Sequence, residues 1–249
     1  MADNIYESER LVREYLLFHY GGAEDILPHP SGPHDALGFA VRCVDELVDP
    51  SIIPPGARAL DIGCAVGRSS FELARVCREV VGLDYSAAFV AAAERIRVEG
   101  GMDFTHAVEG DRVAAAVARR PAGVEASRVC FATGDAMALP GDLGTFDVVL
   151  AANLLCRLPD PRVFLERLPG LVKPGGQLLM TTPFTWLEEF TPRGNWIGAR
   201  EGAASADELK RLLEPSFELC FAKDLPFLIR EHARKFQWSV AWGTRWMRK

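Results

Sequence analysis

The residues able to do chemistry sit in short glycine- and acid-bearing stretches, each directly behind an apolar run. The first is Asp61-Ile62-Gly63-Cys64-Ala65-Val66-Gly67-Arg68. Glycines there let the backbone pass close to a ligand, and a helix starting at the turn offers free N–H groups. The spacing is Gly63-x-Ala65-x-Gly67, and Arg68 stands where a dinucleotide fingerprint places its third glycine. No phosphate-gripping lysine follows, so the turn is not a P-loop either. On its own it is weak evidence, since a plain strand–helix junction would look the same. The second stretch ends in Asp84, within Val80-Val81-Gly82-Leu83-Asp84-Tyr85-Ser86. A carboxylate there can accept both hydroxyls of a ribose, or it can simply cap the next helix. Gly134-Asp135-Ala136, Ala152-Asn153-Leu154 and Lys173-Pro174-Gly175-Gly176 complete the set.

These stretches need elements to position them. Apolar spacing predicts a helix over Asn4 to Tyr20, ended by Gly21-Gly22, and a second over Ala36 to Leu47. An alternation then begins. Strands are expected at Ala57–Ile62, Glu79–Leu83, Arg128–Thr133, Phe146–Ala152 and Gln177–Thr182. Helices are expected at Ser69–Cys77, Ala87–Val98, Arg162–Leu168 and Ala206–Leu213, the last capped by Ser205. Phe104–Val108 reads as a short extra strand followed by a helix through Val113–Arg119. Phe217–Asp224 and Phe236–Trp242 read as two closing antiparallel strands. Strands spaced by helices imply βαβ units and a mainly parallel sheet covered on both faces. Ligands then bind beyond the carboxyl ends of the strands, where the five stretches lie.

Composition sets the outer limits. The 249 residues are 49% hydrophobic and 25% charged, an ordinary globular balance that excludes wholesale disorder. Acidic residues exceed basic ones, 34 to 28, so no overall positive field gathers nucleic acid or anionic lipid. Three positive charges do fall among the last five residues, Arg245 to Lys249. No apolar run has the ~20 residues a membrane span needs, and the polar, acidic start is unlike a signal peptide. Cys43, Cys64, Cys77, Cys130, Cys156 and Cys220 are scattered without zinc spacing. They read as reduced thiols of a cytoplasmic protein, with no metal site expected.

Together, the segments ALDIGCAVG, VVGLDYS, TGDAMALP, FDVVLAANLL and LVKPGGQLL resemble the class I S-adenosylmethionine-dependent methyltransferases. The resemblance spans Ala57 to Thr182 and implies a Rossmann-like α/β fold. That fold is a mainly parallel seven-stranded sheet with helices on both faces and an antiparallel C-terminal hairpin. One domain is expected over 1–249, with 1–56 a helical lid and 57–249 the core. The cofactor implied is S-adenosyl-L-methionine. By resemblance, Asp61, Gly63, Cys64 and Gly67 lie at its methionine part, Asp84 holds the ribose and Tyr85 packs on the adenine. Asp135 and Ala136 bind the adenine edge, and Asn153 and Leu154 line the floor near the sulfonium. Arg42 is placed at the cofactor carboxylate, with a surface salt bridge as its equal alternative. Ala65 replaces the family's middle glycine. Asn153-Leu154-Leu155-Cys156 departs from the Asn/Asp-Pro-Pro-aromatic motif of enzymes that methylate exocyclic base amines.

Three further segments narrow the acceptor: Ile5 to Gly21, Thr182 to Gly198, and Arg230 to Ser239. Their strings YE…YLLFHYG and PFTWLEEFTP.GNW.G resemble the methyltransferase of ovothiol synthesis. That family N-methylates the imidazole of 5-thiohistidine, and its pathway partner is the iron-dependent 5-histidylcysteine sulfoxide synthase. Such an acceptor needs a cation for its carboxylate, an acceptor for its ammonium and flat apolar walls for its ring. Arg193 with Glu7 or Glu188 is expected to serve the head group. Phe184, Trp186, Trp196 and Tyr20 are expected as walls, with Tyr6 and Asn195 bonding ring nitrogens. Tyr15 and His19 are the candidate catalytic residues, as weak bases for the departing ring proton. Another small aromatic or amino-acid acceptor, or a non-catalytic cofactor-binding partner protein, remains the alternative. A nicotinamide oxidoreductase is disfavoured, since neither GxGxxG nor a Tyr-x-x-x-Lys is present.

Overall fold

The computed structural model describes residues 5–200 and 202–249. It opens with a 3-10 turn, Ile5–Glu7, and helix α1, Glu9–Tyr20. The helix expected from Asn4 is interrupted at Ser8, whose hydroxyl caps α1 by accepting the Leu11 N–H at 3.4 Å; Asn4 itself lies outside the described residues. Short helices α2, Ala23–Ile26, and α3, Phe39–Asp45, follow. The expected alternation then runs β1 Arg58–Ile62, α4 Arg68–Leu73, β2 Glu79–Asp84 and α5 Ala87–Glu99. After a hairpin of β3 Gly101–Glu109 and β4 Arg112–Arg119 come β5 Val129–Thr133 and β6 Phe146–Ala152. Helix α6 Pro161–Arg167, β7 Val172–Thr182, α7 Ser205–Leu213, β8 Phe217–His232 and β9 Lys235–Arg248 complete it.

Seven strands form one sheet in the order β5-β2-β1-β6-β7-β9-β8. The pairings β1–β2, β1–β6, β2–β5 and β6–β7 are parallel; β7–β9 and β8–β9 are antiparallel. Side chains alternate between the faces, as strand geometry demands. Ala59, Val148, Leu150 and Leu179 join the core shared with α1, α3, α4 and α5. Leu60, Val149, Ala151 and Leu178 join the opposite core with α6 and α7. The chain leaves β1 toward β2 and β5 on one side and returns through β6 on the other. That reversal between β1 and β6 is where such a sheet opens a crevice.

Three expectations change. Val113–Arg119 is a strand, not a helix. Its alanines favour a helix locally, yet Ala114, Ala116 and Ala118 turn inward at period two while Val113, Ala115 and Val117 face solvent. Gly110, at φ 53°, makes the hairpin turn, and β3 packs on α1, α5 and β8. Ser205 opens α7 but does not cap it: the cap position is Ala204, and the Ser205 hydroxyl accepts the Trp186 indole N–H at 3.0 Å. The closing strands run well past the ends expected for them. β8 and β9 stay paired from Leu225↔Ala241 to His232↔Lys235, beyond β7's last partner, and β8 there meets α1, α3 and β3. Among the described residues no helix is long and apolar enough to cross a membrane.

Candidate functional site

A cavity of about 630 Å³ opens beyond the carboxyl ends of β1, β2, β5 and β6. One end is the glycine turn after β1. Gly63 has φ 77°, and a Cβ on it would stand 3.2 Å from the Leu154 side chain. Ala65 carries φ 48°, a left-handed conformation that costs a non-glycine residue about 1–2 kcal/mol. Its N–H is held by Asp84 Oδ2 at 2.8 Å, and Asp84 Oδ1 accepts from Ser86 N–H at 2.9 Å. The Tyr85 N–H is a third backbone donor to the Asp84 carboxylate, which still lines the cavity. Burial raises its carboxyl above the usual carboxylate range.

Asp61, on the same wall, is buried. Its Oδ2 accepts the Ser70 hydroxyl at 2.6 Å, while Oδ1 has no partner. Burial pushes its carboxyl up to about 7. An orphaned buried carboxylate oxygen is costly unless a ligand satisfies it. Tyr85, Asp135, Ala136, Asn153 and Leu154 line the same cavity, as does Cys64. This end therefore fits an aminoacyl nucleoside: an unpaired anion for an ammonium, a glycine turn and a second carboxylate for a diol.

The other end is aromatic. Tyr6, Tyr15, Phe89 and Phe190 meet there, Tyr15 and Phe89 with centroids 4.7 Å apart. The Tyr6 hydroxyl bonds Tyr15 and Arg157. Arg157 also lies over the Phe190 ring at 4.7 Å and donates to the Thr185 carbonyl at 3.3 Å. Glu189 stands at the rim and lines the cavity. His19 is half-buried, its Nδ1 enclosed and without a partner, and desolvation with Arg68 pushes it down to about 3. Burial raises Tyr15. At neutral pH Tyr15 thus keeps its proton and His19 is an uncharged imidazole. Burial also raises the thiols of Cys43, Cys64, Cys77 and Cys156.

The structure leaves several expected residues outside the cavity. Arg42 pairs with Glu46 at 2.7 Å and donates to the Pro226 carbonyl, so it is the salt bridge and not a cofactor ligand. Gly67 is a packing glycine, since a Cβ there would lie 2.5 Å from Phe131 Cζ. Tyr20 donates its hydroxyl to Val66 O at 2.8 Å, bracing the turn from behind. Glu7 accepts the N–H groups of Ala87 and Ala88 at 2.8 and 3.1 Å, holding the N-terminal strap onto the start of α5. In the loop after β7, Trp196 donates to Thr191 O and Asn195 to Pro159 O, both at 2.9 Å; Arg193 covers Trp196. Phe184, at φ 50°, packs on Trp242, and Trp186 is held by Ser205. These aromatics fold the loop onto α7 and the end of β6, where it presents Glu189 and Phe190 instead. Arg157, Glu189 and Phe190 escaped the sequence reading. The one signal for them was their nearness to the strand ends.

Residues 60–180 match the family described as Methyltransferase domain. A ubiquinone biosynthesis O-methyltransferase of Xanthomonas axonopodis pv. citri is 28% identical over 137 residues, 55% of this chain and 47% of that protein. The 2-methyl-6-phytyl-1,4-hydroquinone methyltransferase of Synechocystis is 34% identical over 172 residues, 66% of this chain and 46% of that protein. The chain thus spans about half the length of these relatives. Among solved structures, the Bacillus YcgJ protein superposes with a TM-score of 0.55 at 14% identity, covering 87% of this chain and 99% of the other. A SAM-dependent methyltransferase of Methanosarcina mazei gives 0.54 at 18%, covering 81% and 98%. The Methanosarcina protein is named for its dependence on SAM, and the residues at the glycine-turn end of the cavity suit S-adenosylmethionine.

Proposed function

The chain has the class I S-adenosylmethionine-dependent methyltransferase fold, and on that premise we propose that it methylates an imidazole ring nitrogen of 5-thiohistidine, the last step of ovothiol A formation. The observation that carries the reading is the aromatic chamber joined to the cofactor end, with one cation and one carboxylate at its mouth. Phe89, Phe190 and Tyr6 supply flat walls for an imidazole. Arg157 and Glu189 take over the head-group roles first given to Arg193 and Glu7 or Glu188. The likeness of the N-terminal and Thr182–Gly198 segments to the ovothiol family supports the same acceptor. The sulfoxide synthase that starts the pathway is the proposed partner, as supplier of the thiohistidine precursor in the cytoplasm.

S-adenosylmethionine, when bound, supplies a methyl group made electrophilic by a sulfonium. The chain's own residues orient and exclude water. Asp61 Oδ1, the glycine turn and Asp84 would hold the cofactor. The chamber walls align the acceptor for in-line displacement, and such positioning can supply most of the rate. His19, held at about 3, stays an uncharged imidazole beside the acceptor, so the ring proton passes to water; Tyr15 acts as a hydrogen-bond donor to Tyr6.

Incubation with S-adenosylmethionine and 5-thiohistidine, with histidine and a catechol in parallel, tests this by mass and fragmentation. One methyl on the thiohistidine ring is the expected result. The relatives named for quinone pathways make a phenolic acceptor the second reading. Methylation of the catechol alone would establish it instead.

A further inference from the structure

We propose that Asn153 decides which atom of the acceptor is methylated: its side-chain amide hydrogen-bonds the acceptor's sulfur and leaves the ring nitrogen to meet the methyl group. The inference rests on 5-thiohistidine being the acceptor.

Asn153 follows the last residue of β6 and lines the cavity. Its backbone is held at φ 52°, which few residues other than glycine and asparagine adopt readily. The strain is fixed by β7: the Asn153 N–H donates to Thr181 O at 2.8 Å and to Thr181 Oγ1 at 3.0 Å. The fully buried Thr181 hydroxyl returns its one proton to Asn153 Oδ1 at 2.9 Å. These bonds determine the amide's orientation. With Oδ1 turned back to Thr181, the group left to the cavity is the NH2, a donor with no acceptor capacity.

The position is also telling. The next residue, Leu154, packs against Gly63 of the cofactor turn. Arg157, four residues on, belongs to the aromatic end. Asn153 therefore stands at the junction of the two halves of the cavity, where the methyl group must pass.

Sulfur is the better intrinsic nucleophile of this acceptor, so nitrogen is methylated only if sulfur is held aside. A thiolate accepts a hydrogen bond from an amide, and charge-assisted donation weakens it as a nucleophile. In the transfer, a ring-nitrogen lone pair forms the new N–C bond. The C–S bond of the sulfonium breaks, its electron pair staying on that sulfur as a neutral thioether. The methylated ring then gives the proton on its other nitrogen to water. The sulfur of the acceptor changes no bond.

The test compares wild type with Asn153→Gly, which keeps the backbone conformation and deletes the amide, and with Thr181→Val, which deletes the hydroxyl that orients it. Thr181→Ser is the rescue. The readout is the ratio of N-methyl to S-methyl product, with thermal melting of each variant as the fold control. Asn153→Gly is expected to raise the S-methyl fraction at least tenfold and the KM for thiohistidine about tenfold, with a cooperative melt like that of wild type. Thr181→Val is expected to move the ratio the same way, and Thr181→Ser to restore it. Unchanged ratios and KM in a wild type that N-methylates thiohistidine overturn this inference alone. A wild type that leaves thiohistidine unmethylated overturns the functional reading, and the inference with it.

Discussion

Asp61 and His19 show what burial does to single groups in this cavity. The Asp61 carboxyl sits at about 7 in the fold against an ordinary 3.8. The folded state therefore holds that proton more tightly, and stability falls as pH rises from about 4 to about 7, by about 4 kcal/mol in all. His19 works the other way. Its imidazole is held at about 3 against 6.5, so stability falls as pH drops through that window. The two slopes oppose one another in the cofactor-free protein. Asp61→Asn is expected to gain stability relative to wild type between pH 5 and pH 8 in denaturant melts, while cofactor affinity drops at least tenfold. His19→Ala is expected to narrow its stability deficit against wild type as pH falls below 6.5. If its turnover at saturation stays within tenfold, His19 is not an essential base. At this scale the residues lining the glycine-turn end of the cavity were legible because the strand ends announce them. Arg157 and Glu189 were not, since a cation and an acid in a loop look alike whether they face water or a cavity.

At the scale of elements, the cavity depends on short junctions braced from outside it. Gly67 illustrates the point: its φ is 87°, and Phe131, edge-on to Phe71, fills the space where a side chain would go. Gly67→Ala is expected to lose about 3 kcal/mol in chemical denaturation, through overpacking and backbone strain. The N-terminal strap is another junction. Glu7 and the Ser86 hydroxyl, which donates to Tyr6 O at 3.0 Å, fasten it to the start of α5. Glu7→Ala is expected to speed cofactor release several-fold in stopped-flow displacement, with little change in melting temperature. The tryptophan-rich loop was legible as unusual but not in its use. Indole N–H groups seek acceptors, and Trp186 and Trp196 find theirs in Ser205 and Thr191, so they anchor the loop and leave the cavity to its neighbours. The β4 strand was misread because an alanine run carries helix propensity, whereas its pairing with β3 and burial on one face decide the outcome.

The whole molecule joins its two ends through the last hairpin. β9 completes the sheet against β7, and Trp246, fully buried, donates its indole N–H to Thr244 Oγ1 at 2.9 Å. Trp246→Ala is expected to cost about 3–5 kcal/mol in equilibrium unfolding. Beyond β7 the same hairpin leans over the N-terminal helices, where Phe227 packs on Phe39, the rings tilted with centroids 4.9 Å apart, and, with Ile229, enters the cavity wall. Chain segments two hundred residues apart thus share one wall. The mainly parallel sheet with helices on both faces was legible, because alternating strands and helices admit few arrangements. The overhang was not, because strands that leave a sheet are positioned by distant partners and not by their own pattern.

Four of the six cysteines are buried, Cys64 in the cavity wall itself. Disulfide exchange needs a thiolate as attacker, and burial keeps those four thiols protonated. A small thiol that arrives oxidised, as its dimer, meets a wall with nothing to exchange. Mixed disulfides would instead collect at Cys220, exposed and outside the cavity lining; Cys130 is exposed too, but burial raises its thiol as well. The chamber keeps its shape while the redox state of its surroundings swings.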